Sequence, residues 1–149
     1  MGIRTIMFRG KRIDNGEWVY GGFKCEKIGE YTIAVFIIEK LTDGVFENHR
    51  VDPESIAQFT GLTDRNGKKI FEGDIIKADD YIFAVKFGKC GGVANAEKYG
   101  YMGFYLEAFS ESTKLSVKYG LRDDICYFED IEVIGNLHDN PELLKGGAE

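Results

Sequence analysis

No apolar run in this 149-residue chain approaches the ~20 residues needed to cross a bilayer. The opening MGIRTIMFRGKR lacks an apolar stretch of about 7–15 residues and a small-residue cleavage site, so no secretory leader is expected. Position 6 is Ile6 where a myristoylation motif wants Ser or Thr, which removes that anchor as well. These absences predict a cytoplasmic protein, off the membrane. Cysteine is sparse: Cys25, Cys90 and Cys126 are odd in number and widely spaced, as reduced thiols would be. There is no Cys-x-x-Cys, and His49 and His138 are not spaced as ligands, so no zinc site is expected. No phosphate-cradling glycine motif and no G-x-S-x-G elbow appears. No cofactor and no catalytic residue is predicted.

Positive charge is also scarce. The net charge is −6, with −1 on residues 1–75 and −5 on residues 76–149. Broad binding to nucleic acid needs clustered cations against phosphates, so this balance argues against it. Two basic clusters stand out, Arg4, Arg9, Lys11 and Arg12 near the start and Arg65, Lys68 and Lys69 further on. The plainer reading of both is solvated strand edges and loops, where lysine blunts sheet pairing.

What the chain has is glycine and aromatics. Nineteen glycines, two prolines, eight tyrosines and eleven phenylalanines lean toward strands joined by turns. The stretch VDPESIAQFTGLTDRNGKKIFEGDIIK, residues 51–77, is the richest in local signals. Asp52 before Pro53 is a helix start, with Asp52 as cap. Ile56 and Phe59 are three apart, which predicts one or two helical turns over Pro53–Phe59, stopped near Gly61. Asn66-Gly67 predicts a type I′ hairpin between arms near Thr60–Thr63 and Lys69–Phe71. Gly73-Asp74 then turns the chain into Ile75-Ile76-Lys77.

Elsewhere the period is two. Strands are predicted at Thr5–Arg9, at Glu17–Tyr20 after an Asn15-Gly16 turn, and at Tyr31–Ile38, whose YTIAVFII reads as the most buried strand. Gly21-Gly22 is read as loosening the second strand, and Asp43-Gly44 and Asp79-Asp80 as turns. Tyr81, Phe83, Val85 and Phe87 fall on one face of a further strand, with Ile82, Ala84 and Lys86 on the other. Residues 88–103 read as a glycine-rich mobile loop. Phe104–Phe109 is a strand, with a turn at 111–114 and Leu115–Tyr119 pairing back. Residues 120–130 are acidic and irregular, and Ile131–Gly135 is a late strand. Asn140-Pro141-Glu142 repeats the helix start, and the tail from Lys145 reads as frayed. The fold class is mainly β: an antiparallel barrel or sandwich with one or two short helices. The run from Asp64 to Phe87 has the outline of an SH3-like barrel, an analogy of fold alone. The expected organisation is one domain over 1–149, with an N-terminal β part at 1–60, a short helix near 53–59, and an SH3-like part at 61–144.

FRGK (Phe8–Lys11) followed by WVYG (Trp18–Gly21), the central VDPESIAQFTGLTDRNGKKIFEGDII, and VIGNLHDNPELL (Val133–Leu144) together resemble the YopX family, small proteins encoded by bacteriophages and prophages, which implies the cytoplasm of a host cell. The resemblance spans most of the chain and is weak between Tyr81 and Asp130. It implies a β-rich fold with an SH3-like C-terminal part, and it brings no catalytic residue set.

Asp123-Asp124 with Glu129, Asp130 and Glu132 offer oxygens to Mg²⁺ or Ca²⁺, yet lack the spacing and glycine of a calcium loop, so a solvated acidic loop is favoured. Cys90 beside Gly91-Gly92 has no pKa-lowering neighbour in sequence. Trp18, Tyr20, Phe23 and Tyr31 are a candidate stacking platform beside Arg4, Arg9 and Arg12, although strand aromatics are more often core. The predicted interaction surface is therefore Arg9, Arg12, Trp18, Tyr20, Arg65, Lys68 and Lys69. Its expected partner is protein, either another chain or a second copy in a homo-oligomer. Nucleic acid through the arginines and the 65–69 hairpin is the alternative, and an enzyme of unknown type the least favoured.

Overall fold

The computed structural model describes residues 5–90, 101–110, 115–120 and 130–146. The chain forms two compact units, Met1–Gly61 and Leu62–Glu149. Of the described residues 65% are strand and 6% helical, which agrees with a mainly β fold, but among them neither unit's sheet closes into a barrel.

The first unit holds β1 (Phe8–Lys11), β2 (Trp18–Lys27), β3 (Ile33–Thr42), β4 (Val45–Val51) and the start of β5 (Ala57–Thr63). They pair antiparallel in the order β4-β3-β2-β1-β5. One isolated bridge, Arg12 opposite Val51, returns the end of β1 to β4, so the sheet curls without completing a ladder. Its core is Val19, Ile37 and Val51, flanked by Phe8, Val35 and Ile56. Gly10, inside the FRGK stretch, faces this core. A Cβ there would lie 2.8 Å from Val51 Cγ2 and 3.1 Å from Ile37 Cγ1, both on buried branched side chains. Gly10→Ala is expected to cost about 1–3 kcal/mol through overpacking. A melting temperature equal to wild type by circular dichroism would refute that account.

The first strand begins at Phe8, later than Thr5, and β2 runs through Gly21-Gly22 to Lys27 instead of ending at Tyr20. The glycines mark a change of partner. Phe8 is opposite Gly21, whereas Gly22 is opposite Ile38, so the two halves of β2 pair with different strands. Tyr31–Ile38 is not a buried run: the strand is Ile33–Thr42, only Ala34 and Ile37 are buried, and Tyr31 and Ile33 are 91% and 63% exposed. The helix at Pro53–Phe59 shrinks to one 3-10 turn, Pro53–Ser55. Asp52 caps it as expected, accepting from the Glu54 N–H at 3.0 Å. Ser55 Oγ then accepts from the Lys11 N–H at 2.7 Å and donates to the Asp52 carbonyl at 2.6 Å, which ties the turn to β1. Period two wins beyond it: Ala57 and Phe59 are buried on β5, and Gly61 lies within the strand, not at a helix stop.

β5 continues into the second unit, where a turn joins it to β6 (Lys69–Phe71). Then follow β7 (Asp74–Ala78), β8 (Tyr81–Cys90), β9 (Tyr101–Ser110), β10 (Leu115–Gly120), β11 (Ile131–Asn136) and the short helix α1 (Glu142–Gly146). The sheet order is β10-β9-β8-β7-β11, all antiparallel. The alternation read in Tyr81–Phe87 holds at its centre, with Phe83 and Val85 in a core with Ile70, Ile76, Leu106 and Ile131. The predicted loop at 88–103 is strand at both ends, since β8 reaches Cys90 and β9 starts at Tyr101; residues 91–100 lie outside those described. The predicted turn at 111–114 and most of the acidic 120–130 segment also lie outside them. The helix carries Lys145 and Gly146, which the sequence reading gave to a frayed tail.

The Asn-Gly turns form, but not as type I′. Among the described residues Asp79 is the one non-glycine with positive φ, so neither Asn15 nor Asn66 adopts the mirror-image conformation. At 64–68 the Gly67 N–H donates to the Asp64 carbonyl at 3.0 Å, Gly67 sits at φ 79°, and the Asp64 N–H donates to the Lys68 carbonyl at 2.8 Å. That is the three-residue hairpin loop with a left-handed glycine.

Candidate interaction surface

Asp64 shows how the second unit uses its charges. Its carboxylate is buried, and Oδ1 accepts the N–H groups of Asn66 and Lys68, both at 2.9 Å. Oδ2 accepts the Val133 N–H at 3.0 Å, from a strand 69 residues away. Burial pushes the Asp64 carboxyl up, but these three donors and the nearby Lys68 charge outweigh it and hold its pKa below the ordinary 3.8. Arg65 follows this anchor, pairing with Glu132 at 3.1 Å while its N–H donates to the Ile131 carbonyl at 3.0 Å. Lys68 and Lys69 are exposed. The basic hairpin is thus partly committed to holding β11.

The N-terminal candidates are distributed differently. On β1 and β2 the register sets Arg9 beside Tyr20 and Lys11 beside Trp18. The Arg9 guanidinium, on a buried residue, lies 4.8 Å from the Trp18 ring centroid, and Lys11 Nζ lies 5.9 Å from it. Arg12 points elsewhere, making two hydrogen bonds to Asp14 at 2.9 and 2.6 Å. Its hydrogen bond holds the Asp14 carboxyl below its ordinary range. Arg9, Trp18 and Tyr20 therefore share one face of the first unit, while Arg65, Lys68 and Lys69 belong to the second. The predicted four-aromatic platform does not form as one surface: Phe23 is on the opposite face from Trp18 and Tyr20, 5.0 Å from Phe8, and Tyr31 is in the β2–β3 turn.

Residues that the sequence reading missed extend the Trp18–Tyr20 face. The register places Lys24, Phe36 and Arg50 in one row and Lys40 beside Phe46. Lys24 Nζ sits 5.2 Å from the Phe36 ring centroid. Alternation within VFENHRV was the available signal. On the other face His49 is buried, 2.8 Å from Glu39 and 3.8 Å from Glu47. Among the described residues no His, Cys, Asp and Glu side chains gather as a metal site. Of the acidic cluster, Asp123, Asp124 and Glu129 lie outside those residues, and Glu132 is the partner of Arg65. Cys25 is a free, exposed thiol. No helix among the described residues is long and apolar enough to cross a membrane.

Two antiparallel sheets, tight turns and little helix define a small β-rich protein whose most distinctive residues shape backbone. The chain belongs to the YopX protein family, whose sequence pattern matches residues 7–145. Among solved structures it is similar to protein EF1440 from Enterococcus faecalis, at 24% identity, over 94% of this chain and 98% of that one, with a TM-score of 0.40. No curated protein matches it.

Proposed function

We propose that this protein is a non-catalytic interaction module that binds protein and associates with copies of itself, serving as a phage- or prophage-encoded accessory protein in the bacterial cytoplasm. The observation that carries this reading is an apolar patch at the β2–β3 end of the first unit. Phe23, Ile28, Tyr31 and Ile33 are all exposed there. Tyr31 and Ile33, with Cys25, Thr32 and the charged Glu26, Lys27 and Glu30, line a shallow hollow of about 280 Å³. Contiguous exposed apolar surface beyond a few hundred Å² is uncommon on monomers and marks contact sites. Family membership goes with the phage reading and assigns no chemistry.

Size-exclusion chromatography with light scattering tests it. Wild type is expected to gain mass as concentration rises through the micromolar range. Tyr31→Asp combined with Ile33→Glu is expected to stay monomeric with an unchanged circular dichroism spectrum. A wild type that is strictly monomeric across that range removes the self-association.

A further inference from the structure

The first unit's sheet separates charge between its two faces. Successive strand side chains alternate, so the residues facing away from Val19, Ile37 and Val51 are fixed by the register: Arg9 and Lys11 on β1, and the even-numbered positions of β2, β3 and β4. Strand positions on this outward face carry five cations, Arg9, Lys11, Lys24, Lys40 and Arg50, against two carboxylates, Glu26 on β2 and Asp43 in the adjoining turn beside Lys40. The opposite face carries Glu39 and Glu47 with Lys27. A chain with net charge −6 thus presents a locally positive surface. Its more distant carboxylates are screened beyond about 10 Å at ordinary ionic strength.

Aromatic rings interleave with these cations. Arg9 is buried at the β1 side, and the face opens from Tyr20 outward. Tyr20 is 46% exposed and Phe46 60% exposed, on the strands flanking β3. Phe36 lies in the row between Lys24 and Arg50. Strand geometry makes this area about 10 Å by 14 Å, enough for two or three nucleotides. Lys24 pairs with Glu26 at 3.0 Å and Lys40 with Asp43 at 3.1 Å, exposed pairs that exchange readily for a phosphate.

We propose that this outward face, through Tyr20, Lys24, Phe36, Lys40, Phe46 and Arg50, binds single-stranded nucleic acid. Phosphates lie on the cations and bases stack on the exposed rings. Cations with intervening aromatics are the arrangement that binds single strands with little sequence preference. A duplex offers this face its phosphates but keeps its base faces stacked away from Tyr20 and Phe46. The residues of this face all belong to the first unit, so the 65–69 hairpin of the second is not needed for it.

Fluorescence anisotropy of the full chain with a labelled oligothymidylate and the matching oligouridylate tests this. Wild type is expected to bind at low salt, with affinity falling steeply as salt rises. Phe46→Ala is expected to weaken binding about fivefold or more, and Arg50→Glu about tenfold. Both positions are exposed, and circular dichroism melts verify that both variants fold. Lys68→Glu with Lys69→Glu is expected to leave affinity within about twofold, because it alters the other unit. The proposal is overturned if wild type binds neither single strand, if a duplex binds as tightly, or if folded Phe46→Ala and Arg50→Glu bind like wild type. Neither substitution touches the Phe23–Ile33 patch, so failure here is separable from failure of self-association.

Discussion

Asp64→Ala is expected to destabilise the second unit by about 3–5 kcal/mol. The carboxylate accepts three backbone N–H groups, from Asn66, Lys68 and Val133. Each bond is charge-assisted, and removing the acceptor leaves donors at a part-buried site with nothing in its place. Asp64→Asn retains one carbonyl oxygen and should recover part of the loss. Arg65→Ala beside it removes a half-exposed ion pair and should cost less than about 1 kcal/mol. The effect also has a pH signature. Because the folded-state pKa of Asp64 lies below 3.8, its contribution is fully present above that value and is lost as pH falls through the lower folded value. Urea unfolding followed from pH 7 down to acid should show the gap between wild type and Asp64→Ala narrowing below about pH 4. A gap that stays constant through that range would refute the assignment.

Gly21→Ala should be comparably damaging, for a steric reason. A Cβ at Gly21 would collide with the Ile38 carbonyl oxygen and sit 2.9 Å from the Ile38 carbonyl carbon. Those are backbone atoms of β3, so relief requires the strands to part where β2 changes partner. The expected cost is about 3 kcal/mol or more. Gly22→Ala is the matched control. Nothing lies within 4 Å of a Cβ at Gly22, so its substitution should stay within about 0.5 kcal/mol. Equal melting temperatures for the two variants would show that close approach is not what Gly21 provides.

Legibility in the sequence followed the range of the interaction. Signals between near neighbours were readable: the Asp52 cap, the turns at 15–16, 43–44 and 66–67, and the alternation around Phe83 and Val85. The misreadings arose where a distant partner decided the outcome. Gly21-Gly22 looks like a break until β3 is seen crossing there. Ile56 and Phe59 suit a helix by spacing, but β1 offers β5 an edge, and the Met7 carbonyl takes the Phe59 N–H at 2.8 Å. YTIAVFII is apolar enough for an interior strand, and its exposed end was not foreseeable from composition. The candidate surface was half legible. Arg9, Trp18 and Tyr20 came from composition, whereas Lys24, Phe36, Lys40, Phe46 and Arg50 required the three-strand register.

The tie between Asp64 and Val133 also sets an order of events while the chain is being made. The first unit's pairings close within its own 61 residues and can settle as soon as they leave the ribosome. The 64–68 turn forms early, but its carboxylate and strand β7 wait for β11, 69 residues further along from Asp64. At translation rates of about 5–20 residues per second that is an interval of roughly 3–14 seconds. Once β7 has emerged, and for the rest of that interval, the nascent second unit has an open edge there, the stretch a chaperone would be recruited to shield.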